Sequence, residues 1–166
     1  ANNPDDQSSS LRGGEGNDTL IGSDGSDNLD AGSGDDSIVA GGGQFDYING
    51  SSGTDTIDGG DGYDMIGFKR DNSADHIHVV LNTNGLGTGA ITGVFHDVWD
   101  GEDDVAGAVN QTFVNLERVV GTAGADTFVN GGFNPTANAE WLFGDRSETP
   151  FTAFSFVGGK GGDTFT

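Results

Sequence analysis

Between Gly13 and Gly67 the sequence repeats a nine-residue unit six times: GGEGNDTLI, GSDGSDNLD, AGSGDDSIV, then, after an extra Ala40, GGGQFDYIN, GSSGTDTID and GGDGYDMIG. Every unit keeps Asp at position six (Asp18, Asp27, Asp36, Asp46, Asp55, Asp64) and Leu or Ile at position eight (Leu20, Leu29, Ile38, Ile48, Ile57, Ile66). A glycine-rich half-turn ending in Asp, with a branched apolar residue two positions on, reads as a metal loop fused to a strand. Positions one, two and four are mostly Gly, among them Gly14, Gly16, Gly25, Gly32, Gly34, Gly53, Gly60 and Gly62. The backbone there must enter left-handed or crowded conformations that a side chain obstructs. Positions seven to nine then form a short strand whose middle residue points inward.

Two units complete one coil, and successive coils stack at about 4.8 Å as parallel strands. The fold class expected is all-β: a parallel β-roll, that is a right-handed β-solenoid, with an irregular β-rich capping segment and little helix. Its loops line up in two columns, one holding Asp18, Asp36 and Asp55, the other Asp27, Asp46 and Asp64. Like charges so placed repel by about 1 kcal/mol per pair in water and by roughly 4 at an effective dielectric of 20. A hard divalent cation between adjacent loops turns each repulsive pair into a bridge, with glycine-turn carbonyls completing an oxygen shell. Six to eight oxygens at flexible geometry suit calcium better than magnesium. The absence of Cys argues against soft metals. Several calcium ions are therefore expected, with folding coupled to their binding.

The balance of 6 Lys and Arg against 27 Asp and Glu gives a formal charge of -21. Such a chain repels nucleic acid and anionic lipid surfaces, and on composition it reads as disordered unless something supplies counter-charge. No apolar run approaches the roughly 18 residues of a membrane span, and the opening ANNPDDQSSS lacks the features of a signal peptide. The chain stops inside a further repeat, GGKGGDTFT. Repeat arrays need capped ends, so the expectation is a monomer or a piece of a longer chain.

Along the sequence, residues 1–12 read as a linker or tail, 13–67 as the β-roll, and 68–166 as a β-rich continuation and cap. The alternation in HIHVVLN places Ile77, Val79 and Leu81 on one strand face, and TFVNLERVV reads as a further strand. Isolated nine-residue units recur at 121–129, around Asp126, and at 158–166. Ten of the eleven Phe lie outside the first array, so the second half is expected to own the larger core.

The pattern GGxGxDxUx, with U a bulky apolar residue, resembles the RTX or haemolysin-type calcium-binding repeats, which fold as a parallel β-roll. The resemblance implies calcium in the loops of Asp18, Asp27, Asp36, Asp46, Asp55 and Asp64 and, through the isolated copy, at Asp126. It also implies a secreted, extracellular bacterial protein exported by type I secretion, folding where calcium is abundant, and a non-catalytic module of something larger. The fourth unit departs from the pattern: Ala40 precedes it, Gln44 stands at position four and Phe45 at position five, so the site of Asp46 is expected to be distorted or empty. Ser23 and Ser51 at position two and Ala31 at position one are milder departures.

Other constellations are less specific. His76 and His78 share a strand face and, with His96 and Asp97, have the residue types of a transition-metal site, though exposed histidines are the simpler reading. The acidic loop of Asp97, Asp100, Glu102, Asp103 and Asp104 reads equally as a further calcium site or as a solvated loop, since its spacing does not match the EF-hand. Glu117 precedes the Asp126 unit and either joins its site or lies on the surface. Trp141, Phe143, Phe151, Phe154 and Phe156 read as core, with a sugar-stacking platform as the alternative. No GxSxG, HExxH or phosphate loop is present, and no catalytic residue can be named. A carbohydrate-binding or adhesin module contacting an extracellular polysaccharide is the rival function. Position seven varies (Thr19, Asn28, Ser37, Tyr47, Thr56, Met65), which argues against a regular Thr array of the kind ice-binding solenoids carry.

Overall fold

The computed structural model describes residues 7–68, 75–81, 88–97, 105–130, 155–157 and 162–166, with the side chains at 95–97, 105–106, 130 and 155–157 excepted. Each unit of the array places a three-residue strand where alternation demands it. In β2 (Thr19–Ile21), β4 (Ser37–Val39) and β6 (Thr56–Asp58) the central Leu or Ile is buried and its neighbours face outward. The intervening strands are β3 (Asn28–Ser33), β5 (Tyr47–Asn49) and β7 (Met65–Gly67). Consecutive units alternate between two sheets, so the inward residues of both meet in one thin core. Leu20, Leu29, Ile38, Ile48, Ile57 and Ile66 are all 5% exposed or less, and burying each contributes about 1.5–3 kcal/mol. Among the described residues there is no helix.

Both sheets run on beyond the array. β1 (Ser10–Glu15) leads into its first unit, and β8 (His76–Leu81), β9 (Gly89–Asp97), β10 (Val105–Val114), β11 (Arg118–Val120), β12 (Thr127–Asn130), β13 (Ser155–Val157) and β14 (Thr164–Phe165) follow. One sheet has the order β1-β3-β5-β7-β11-β13, the other β14-β12-β8-β9-β10-β6-β4-β2. Every pairing is parallel except β8 with β9 and β9 with β10, which form an antiparallel meander. The meander is spliced into the second sheet: β10 runs parallel to β6 at one border and β8 parallel to β12 at the other. The first sheet passes straight from β7 to β11, with Val119 on Ile66. The core is correspondingly one continuous cluster from Leu20 through Phe68, Phe113 and Val119 to Phe128. Most of the Phe on which the expectation of a larger second core rests, Phe133, Phe143, Phe151 and Phe154 among them, lie outside the described residues.

Two registers differ from the sequence reading. The stretch read as a tail contributes its last residues, 10–12, to β1, where Leu11 stacks on Leu29 as a position-eight residue does. The extra residue of the fourth unit is Gln44, not Ala40. A Cβ on Gly22 would run into the Ala40 carbonyl, one on Gly41 into Ser23 and one on Gly43 into Gly25. Ala40, Gly41 and Gly43 thus fill positions one, two and four, and Gln44 is squeezed outward and exposed. Asp46 keeps its place, fully buried, and the expected distortion of its site is absent.

The position-seven residues, irregular along the chain, are sorted by sheet. Thr19, Ser37 and Thr56 stack in register with Thr112 on the outer face of one sheet, while Asn28, Tyr47 and Met65 stack on the other.

Candidate metal centre

The six Asp of the array fall into the two expected columns, and main-chain hydrogen bonds link them within each. Oδ1 of Asp36 accepts the amide of Asp18 at 2.8 Å, and Oδ1 of Asp55 accepts that of Asp36 at 3.0 Å. In the second column Asp46 accepts from the Asp27 amide at 2.7 Å and Asp64 from the Asp46 amide at 2.8 Å. One oxygen of Asp36, Asp46, Asp55 and Asp64 is thereby committed to the neighbouring coil. What distinguishes the loops is the fate of the other oxygen.

In the loops of Asp18, Asp36, Asp46 and Asp64, Oδ2 is buried with no hydrogen-bond partner. These are the four loops with Gly at position two: Gly14, Gly32, Gly41 and Gly60, all with φ between 90° and 124°. Where position two carries a hydroxyl, the loop satisfies its own carboxylate. Ser23 donates its amide to Oδ2 of Asp27 at 2.6 Å, and its hydroxyl reaches the same carboxylate at 3.0 Å. Ser51 donates its hydroxyl to Oδ2 of Asp55 at 3.0 Å. Thr122 gives Asp126 both an amide hydrogen bond, at 2.7 Å, and a hydroxyl one, at 2.8 Å. The substitutions read as mild departures therefore decide which loops hold an unsatisfied acceptor, and leaving one buried costs about 1–3 kcal/mol or more when it is charged.

Glycine brings further oxygens to the same crevices. A Cβ on Gly32 would run into the Gly14 carbonyl oxygen, and one on Gly34 into that of Gly16, so main-chain oxygens fill the space between successive loops. Gly14, Gly16, Gly32, Gly34, Gly53, Gly60 and Gly62 all adopt positive φ. Gly25 does not; it is required by the approach of Gln7 and Ser8, whose main-chain atoms lie 2.6 Å from where its Cβ would be. Residues 7–9 close that end of the second column: Ser9 donates its amide to Asp27, and its carbonyl accepts from the Asn28 amide at 2.9 Å.

Past the array the columns continue through residues that follow no glycine-rich loop. Gln111 precedes Thr112, the partner of Thr56, and so stands in register with Asp55; its Nε2 donates to Asp55 Oδ2 at 2.8 Å. Glu117 precedes Arg118, the partner of Met65, and so stands in register with Asp64; its Oε2 accepts the Asp64 amide at 2.7 Å. Glu117 belongs to the Asp64 column, neither to the Asp126 site nor to the surface. Asp126 accepts the Ile77 amide at 2.8 Å and gives its own amide to Asp163 at 3.1 Å. The only sequence signal for Gln111 and Glu117 is a position-six residue two before an apolar strand centre, Phe113 or Val119.

Burial in this stack pushes the carboxyls of Asp36, Asp46, Asp55 and Asp126 above the usual range. Asp64 is raised to about 8 by burial first, with the charges of Asp46 and Glu117 adding to it. Glu117 is raised to about 7 by burial. Unpartnered buried oxygens, main-chain carbonyls turned between loops and strained glycines form an all-oxygen donor set that fits a hard divalent cation. Asp18, Asp36, Asp46 and Asp64 are the array side chains with a buried oxygen left unpartnered for it. Among the described residues no three His, Asp or Glu side chains converge on one point, so carbonyls must supply most of any coordination shell. His76 and His78 are exposed on β8. The side chains of His96 and Asp97, the rest of the loop to Asp104, and the side chains of the aromatic set from Trp141 to Phe156 lie outside the described residues.

Residues 7–38 and 38–66 match the family model of the RTX calcium-binding nonapeptide repeat (4 copies). No curated protein and no solved structure matches the chain. Among the described residues no helix is long and apolar enough to cross a membrane.

Proposed function

We propose, for a chain whose residues 7–66 are RTX calcium-binding nonapeptide repeats, that calcium ions seat between successive loops of both columns and that their uptake makes the array fold. The observation that carries this reading is the set of four buried Oδ2 atoms, those of Asp18, Asp36, Asp46 and Asp64, without a partner. A buried carboxylate oxygen facing carbonyl dipoles and another carboxylate needs a positive charge, and the 6 basic residues of a chain with 27 acidic ones cannot provide it. Asp27, Asp55 and Asp126 share in these sites with the oxygens left to them beside the hydroxyls of Ser23, Ser51 and Thr122. When bound, calcium supplies the counter-charge and a flexible oxygen-coordination centre; the loops supply orientation and burial.

On this reading 13–67 is the calcium β-roll and 68–166 its continuation and cap. The chain is a non-catalytic module of a secreted bacterial protein, exported by the type I route and folding where calcium is plentiful. Coupling of folding to metal supports that assignment physically, because a chain unfolded at low calcium stays threadable until it meets the ion outside. Far-UV circular dichroism of the chain titrated from EDTA into calcium, and separately into magnesium, tests the reading. A cooperative gain of β-signal with calcium and little with magnesium is expected. A chain already folded in EDTA overturns it.

A further inference from the structure

The two columns end differently where the meander interrupts the roll. In the first, Gln111 stands in the acid's place, is 1% exposed, and directs its amide Nε2 at both Asp55 Oδ2, at 2.8 Å, and the Ser51 carbonyl, at 3.0 Å. A neutral amide stands in the acid's place there: its Nε2 satisfies the terminal carboxylate, while its own Oε1 is buried without a partner. In the second, the residue in register is an acid. Glu117 accepts the Asp64 amide as each array Asp accepts that of its predecessor, while Asp64, fully buried, keeps an Oδ2 with no partner at this end of the column.

The chain reaches this position by an abbreviated loop. Asn115, at φ 54°, takes the left-handed conformation that glycine takes elsewhere, which Asn tolerates better than most residues. Its carbonyl presses on Gly59 as that of Ala31 presses on Gly13 and that of Ala40 on Gly22, so Asn115 occupies position one. Its side chain is fixed by donating to Asp58 Oδ1 at 2.8 Å. Glu117, at position six, follows after a single intervening residue where an array unit has four. The longer side chain of Glu, one methylene more than Asp, spans what the shortened loop leaves open.

We infer that Asp64 and Glu117 hold a further calcium ion, outside the nonapeptide repeats, that fastens β11 to the end of the array. The assignment rests on the calcium reading above and adds to it a site the repeat pattern does not contain. Glu117 is its ligand; Asn115 and Asp58 position it.

The ion count of the folded chain in saturating calcium, by native mass spectrometry, tests this. Glu117→Gln keeps the shape and removes the charge, and one calcium fewer than the native chain is expected with the far-UV spectrum intact. An unchanged count overturns the inference. Should that variant fail to fold, Glu117→Asp decides: it keeps the charge but falls one methylene short, so a last calcium bound more weakly than in the native chain supports the inference, and native count with native affinity overturns it. A native chain that takes up no calcium at all refutes the broader reading instead, so the two failures are distinguishable.

Discussion

Gln111 donates its side-chain amide to Oδ2 of Asp55 across 56 residues of sequence, at 2.8 Å and out of reach of solvent. The contact replaces a carboxylate-to-carboxylate step with a neutral donor at the border between repeat and meander. It shows that the last coil of the array is closed by a residue delivered from β10.

Replacing Gln111 by Met keeps the volume and removes the donor, leaving Asp55 Oδ2 with only the Ser51 hydroxyl. Hydrogen bonds to charged groups contribute about 1.5–3 kcal/mol, and a loss of that size is expected in denaturant unfolding at saturating calcium. The number of bound ions should not change if Gln111 Oε1, buried without a partner, holds no ion. Loss of an ion would show that it does.

The raised carboxyls give the fold a defined pH response. Asp64 moves from 3.8 to about 8 and Glu117 from 4.5 to about 7, both through burial first. Because the folded values lie above the unfolded ones, the metal-free fold carries their stabilising contribution in full below pH 3.8 and loses it as pH rises through about 7 and 8. Calcium must displace those protons, so its apparent affinity should climb over the same window, with measurable proton release on calcium addition near neutrality. Calcium titrations at pH 6 and at pH 9, followed by circular dichroism, should differ in midpoint, the acidic one needing more calcium. Equal midpoints would contradict the burial of these groups.

Two single-residue deletions distinguish the registers of the fourth unit. Removing Gln44 restores a nine-residue spacing with Ala40, Gly41 and Gly43 at positions one, two and four, and folding in calcium should be preserved. Removing Ala40 moves Gln44 into position four, where Gly16, Gly34 and Gly62 adopt φ of 96°, 133° and 142°. A side chain forced there costs about 1–2 kcal/mol, so the second variant should unfold at lower denaturant than the first. The reverse order would return the insertion to Ala40.

Most of the array could be read directly from the chain because its determinants are local. The Asp at position six, the Leu or Ile at position eight and the glycines between them recur within nine residues, and each unit meets only its neighbours. The two columns follow from arithmetic, and the structure pairs Asp18 with Asp36 and Asp27 with Asp46 as that arithmetic requires. The insertion was misplaced because Ala40 and Gln44 both fit a nine-residue count; only the stacking of Ala40 on Gly22 and Gly43 on Gly25 separates them.

By itself, then, the sequence determined the period, the inward apolar row, the acidic columns and the all-oxygen chemistry of the loops. Tertiary structure decided how the columns end and which loops are left wanting a cation. Gln111 and Glu117 reach their places only because β9 and β10 fold back antiparallel and return the chain beside β6 and β7, a pairing between residues more than fifty positions apart. The role of Ser23, Ser51 and Thr122 emerges from the folded turn: a hydroxyl counts as a donor to a carboxylate only when the turn brings the two within reach, as it does for Asp27, Asp55 and Asp126.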